Sequence, residues 1–152
     1  MASNFAFLRE KFPELAELGI LAERYLRSDP QSCLMKAGLL CEGMIRVMFA
    51  LDGITLPERC DAVERIDILQ RREVLPADVA AAFHLMRKVR NKAAHEGLKI
   101  PETKTLYFLQ ITHSLCGWFF QTYGDESYRQ QDFVAPQDAE ISGPSPSESN
   151  VE

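Results

Sequence analysis

The chain has 152 residues, 17 Lys and Arg against 22 Asp and Glu, and a formal charge of −5. At 46% hydrophobic and 26% charged residues it has the make-up of one soluble globular domain, and a chain of about 150 residues can bury roughly 70% of its extended surface without a disulfide or metal staple. These figures exclude a collagen, a disordered acidic chain and a many-domain motor. Taken in chain order, Pro13, Pro30, Pro57, Pro76 and Pro101 each have an acid beside them or close behind. Proline suits the first helical turn, where its missing N–H is unpaired anyway, and an acid there faces the positive end of the dipole. Gly53, Gly97 and Gly124 fall where such helices should stop. This punctuation predicts helices near 13–27, 30–52, 57–72, 76–96 and 101–123, with a short one over 4–11.

Apolar spacing supports the same elements. Leu34, Ala37, Cys41, Met44, Met48 and Leu51 recur at three and four residues, as one face of a helix does. Val79, Phe83, Met86, Val89 and Ala93 repeat the pattern, and Leu106, Leu109, Leu115, Trp118 and Phe119 give the last helix a broad apolar surface. With no period-two alternation, the expected fold is an all-α bundle of about five main helices. From Gly124 onward seven acids face one base, Arg129, a net −6 that leaves the rest of the chain at +1. Residues 124–152 therefore read as an acidic, Ser- and Pro-rich disordered tail or linker, and 3–123 as the folded domain. A chain ending in such a linker is expected to be the front piece of something longer.

Cys33, Cys41, Cys60 and Cys116 form no C-x-x-C pair and no zinc spacing, so neither metal nor cofactor is expected. Eight residues of helix separate Cys33 and Cys41 by ~12 Å, beyond the ~7 Å reach of a disulfide. Free thiols point to a reducing cytoplasm. No run reaches the ~18 apolar residues of a membrane span, so no membrane partner is expected.

Chemistry concentrates in Arg90-Asn91-Lys92-Ala93-Ala94-His95. Between His84 and Lys104 six bases oppose two acids. An arginine holds phosphate with a fork of donors, and a histidine near its ordinary pKa moves protons at neutral pH. Together they could cleave RNA without metal, the ribose 2′-hydroxyl serving as nucleophile. On this reading His95, Arg90 and Asn91 are the catalytic candidates, while Arg87, Lys88, Lys92 and Lys99 are candidates for holding nucleic acid. The competing reading is structural: Asn91 and His95, four apart, cap the helix and tie it to a neighbour. An ideal helix puts Arg90 and His95 roughly 140° apart, so convergence requires the helix to end near His95 or two chains to share the site. His84 and His113 are read as packed or half-exposed rings.

An Arg-Asn-x-x-x-His motif ending a long helix in a small all-α domain resembles the HEPN superfamily of metal-independent ribonucleases and inactive relatives. The wider set comprises Ser3-Asn4-Phe5-Ala6-Phe7-Leu8, Phe12-Pro13-Glu14-Leu15, Glu23-Arg24-Tyr25, Phe83-His84-Leu85-Met86-Arg87-Lys88 before Asn91 and His95, Trp118-Phe119 and Thr122-Tyr123-Gly124. It resembles the N-terminal helical domain of the R subunit of type I restriction-modification enzymes, from Ser3 to about Pro136. Relatives of that domain often have glycine where Arg90 stands. The resemblance implies an accessory binding or assembly domain, with other subunits or domains of a type I restriction enzyme as partners. In those enzymes an endonuclease and an ATP-driven translocase follow it; neither a G-x-x-x-x-G-K-[ST] loop nor a helicase motif occurs in this sequence. The alternative it leaves open is a HEPN ribonuclease working as a homodimer, and contact with DNA or RNA through 84–104 remains a third reading.

Overall fold

A computed structural model describes residues 2–95 and 99–136. Among them there is no strand: a 3-10 turn at Ala6–Leu8 is followed by five helices, α1 (Pro13–Tyr25), α2 (Pro30–Leu51), α3 (Ala62–Arg71), α4 (Ala77–Ala93) and α5 (Glu102–Tyr123). The expected all-α bundle is the fold. No helix among the described residues is long and apolar enough to cross a membrane.

Helix α2 is the axle, packing against all four other helices. Pro30 stands in its first turn, and the Asp29 carboxylate accepts the Ser32 amide at 3.1 Å, satisfying a donor the helix leaves unpaired. Its stripe Leu34, Ala37, Cys41, Met44 and Met48 is buried as expected; Leu51, one turn further, is 58% exposed. Gly53, at φ +66°, reverses the chain and lets its own amide bond Ala50 and that of Ile54 bond Phe49. A side chain is disfavoured in that left-handed conformation, which is why glycine ends this helix.

Two boundaries differ from expectation. Helix α3 begins after Asp61, whose carboxylate takes the Glu64 amide at 2.8 Å, and not at Pro57. Arg59 has φ +60°, which a helix cannot accommodate, and Leu56 ahead of Pro57 has no oxygen to cap a helix there. Helix α4 stops at Ala93 rather than 96. The Gln31 amide, from the first turn of α2, donates to the Ala93 and His95 carbonyls and so closes the end of α4. The expected stop at Gly97 lies outside the described residues.

The tail expected from Gly124 also starts later than the sequence implies. Residues 125–136 have no helix, yet they lie back across the domain. Tyr128 stacks on Phe7 with ring centroids 4.9 Å apart, and Phe133 meets His113. Val134 exchanges two hydrogen bonds with the Asn4 side chain, which also donates to Glu23 at 2.7 Å. Asn4 and Glu23, separate parts of the signature quoted above, are thus one contact. The rest of the expected tail, 137–152, lies outside the described residues.

Candidate functional site

Helix α4 divides the motif between two environments. Its inner face, Ala80, Phe83, Met86, Val89 and Ala93, is buried. Arg90 sits beside that face, half-buried, and its Nη1 lies 2.8 Å from a Glu42 oxygen on α2. The approach is possible because α2 has glycine opposite. A Cβ at Gly38 would stand 2.6 Å from Arg90 Cβ and Cδ, closer than atoms pack. Arg90 is therefore a strut between α2 and α4.

The other motif residues face outward. Lys88, Asn91 and Lys92 are exposed on α4, and His95 is exposed in the turn beyond it. Lys99 is exposed on the connection to α5. Neither the Asn91 nor the His95 side chain makes a hydrogen bond among the described residues. The capping expected of them is performed by Gln31, through the backbone carbonyls of Ala93 and His95. The fold thus leaves Asn91 and His95 exposed at the end of α4 and ties the Arg90 guanidinium to Glu42.

Arg87, one turn before Asn91, turns instead into a cleft between α2, α3 and α4. The cleft is an open concavity with about 20 Å³ of free space between its walls, lined by Gly38, Cys41, Glu42 and Ile45 from α2, Ala62, Arg65 and Ile66 from α3, and Phe83 and Arg87 from α4. The Nε atoms of Arg65, Arg87 and Arg90 are all buried without a hydrogen-bond partner. Unpaired buried donors are uncommon and each costs about 1–3 kcal/mol, more when charged. Glu42 is the acid lining the cleft, and Arg90 neutralises it. Burial pushes the Cys41 thiol up to about 12, so it carries no charge there.

Arg65 and Glu42 are the residues that sequence reasoning missed. Glu42 left one signal, the sole acid of α2, one helical turn beyond Gly38. Arg65 left none, since its place depends on where α3 starts and how it leans on α4.

The other two histidines serve packing. His84 Nε2 lies 3.2 Å from Asp67, joining α4 to α3. His113 is buried among Phe5, Phe7 and Phe133, and burial holds its pKa below the ordinary value, partly offset by a hydrogen bond to the Asn4 backbone. All four cysteines are free and buried. No cluster of metal-ligating side chains occurs among the described residues.

An all-helical domain with an arginine-lined cleft and a separate polar helix end is the class of protein these features define. The chain belongs to the family described as a domain of unknown function, DUF4145, which matches residues 21–140 and so takes in the motif, the cleft and the segment folded back over α5. Neither a curated protein nor a solved structure matches it.

Proposed function

We propose that this domain is a non-catalytic binding and assembly module of the cytoplasm, of the kind that stands at the N-terminus of the R subunit of type I restriction-modification enzymes. The observation carrying this reading is the engagement of Arg90. With Nη1 on Glu42 and its stem over Gly38, that guanidinium is engaged in the α2–α4 joint, which speaks for a structural rather than a catalytic role. The resemblance from Ser3 to about Pro136 supplies the context, and the segment 125–136 that it includes is packed as part of the domain. Its partners are then the other subunits or domains of a restriction enzyme, used in DNA restriction and defence.

The test is co-expression with the remaining type I subunits from the same genome. Co-elution that survives moderate salt supports the reading, and independent elution of every component overturns it.

A second reading, a metal-independent HEPN ribonuclease acting as a homodimer, is favoured by the exposure of Asn91 and His95 at the end of α4. It makes His95 the general acid or base and leaves Arg87 rather than Arg90 to hold the phosphate. Incubation with RNA in EDTA separates the two. The module reading expects no cleavage, whereas cleavage lost in His95→Ala establishes the nuclease.

A further inference from the structure

The cleft between α2, α3 and α4 is a better-built site than the motif that drew attention to α4. We propose that it binds the phosphate of a small phosphomonoester, gripped by Arg65 and Arg87. The inference goes beyond the assembly reading and does not depend on it.

Three observations converge. First, Arg65 and Arg87 come from different helices into one concavity, each with its Nε buried and unpartnered. No carboxylate among the described residues lies within ion-pair distance of either. The two side chains are half-buried and Arg65 also bonds Cys60, but each Nε donor lacks an acceptor, and an oxyanion supplies it. Second, the acid in the wall is already compensated. Glu42 is held at 2.8 Å by Arg90, which stands outside the lining, so the two lining arginines leave the cleft with an uncompensated charge of +2. A phosphomonoester, with about −1.5 to −2 charges at neutral pH, matches that balance better than a carboxylate does. Third, the space between the walls is tight, about 20 Å³, room for one small polar group and little more, and the walls between the arginines are apolar. A single phosphate group fills such a space, and the rest of the molecule remains in the open mouth of the cleft.

Arg90 takes on a definite part here. It touches no ligand; it is a positioning residue whose loss would expose the Glu42 carboxylate to the bound anion. This explains how one face of α4 presents two arginines three residues apart with different duties.

The test is a titration of the isotope-labelled full chain, followed by NMR at the arginine Nε–H and the backbone amide signals. The probes are inorganic phosphate, adenosine monophosphate, acetate and a short DNA duplex. Phosphate and the nucleotide should shift the Arg65 and Arg87 signals at millimolar concentration or below, and acetate should do so more weakly. Arg65→Gln and Arg87→Gln should each weaken nucleotide binding about tenfold or more, Arg90→Ala should weaken it by a smaller factor, and Glu42→Gln should preserve or tighten it. Circular dichroism checks that each variant is folded, and for any that is not, the wild-type signals decide. Shifts confined to Lys88, Lys92 and Lys99, equal responses to acetate and phosphate, or silence of both arginines would overturn the proposal. Failure of the domain to co-elute with restriction subunits would leave these signals unchanged.

Discussion

Two regions of this molecule are built on opposite chemistry. Around α5 and the returning segment, aromatic rings enclose one another: Phe12 lies 4.9 Å from Phe119, Phe7 stacks on Tyr128, and Phe120 meets both Phe7 and Tyr128 edge-on. Between α2, α3 and α4 the single ring of Phe83 shares a cleft with two arginines whose Nε donors have no partner. The first region shows how the chain spends its apolar surface on holding itself together. The second keeps unpaired arginine donors in a concave place, where they cost stability unless an acceptor arrives from outside the chain.

The contrast can be broken by substitutions of graded effect. Phe119→Ala removes a fully buried ring from the aromatic region and should cost roughly 3–5 kcal/mol in urea unfolding. A loss under ~1 kcal/mol would mean the aromatic region is not the stabilising one. Gly38→Ala forces a methyl into the stem of Arg90 and should cost about 1–3 kcal/mol. Because the clash is with that one side chain, adding Arg90→Ala should recover part of the loss, and strict additivity of the two would contradict the packing described.

A pH series sharpens the comparison further. Burial depresses the His113 pKa in the folded chain, so between that value and about 6.5 the unfolded chain holds the extra proton. The stability contributed by the neutral ring is therefore complete above about pH 6.5 and falls as the pH drops below it, by roughly 1.4 kcal/mol for each pH unit spanned by the shift. His113→Gln should remove that part of the slope, and an unchanged pH profile would sink the assignment. The smallest effect is expected on the outer face of α4, where Lys88→Ala or Lys92→Ala should change stability by no more than about 0.5 kcal/mol.

Helix α2 was legible in the sequence because its signals are local: Asp29-Pro30 at the start, a stripe of apolar residues, and Gly53 at the end. The α3 boundary was not, because Pro57-Glu58 and Asp61 both carry start signals, and the choice turns on whether a side chain ahead of the helix can accept an amide. The segment 125–136 was misread for a related reason. Its two aromatic residues, Tyr128 and Phe133, are diluted by polar neighbours, and the surfaces that bury them, Phe7 and His113, are remote in the chain. The motif was visible and its geometry was not. Arg90 carried the right residue type for phosphate, but its partners Glu42 and Gly38 stand on another helix, and only the fold shows that the α2–α4 joint takes it up.

The clasp between Asn4 and Val134 has a further consequence. It brings the start and finish of the described fold to one spot, so the domain enters and leaves through a single doorway. A fluorophore pair attached just outside that doorway should report close approach in the native chain and separate on unfolding. Engineered into a surface loop of a host protein, such a unit would hold the host's cut ends side by side, a plug with both wires on the same edge.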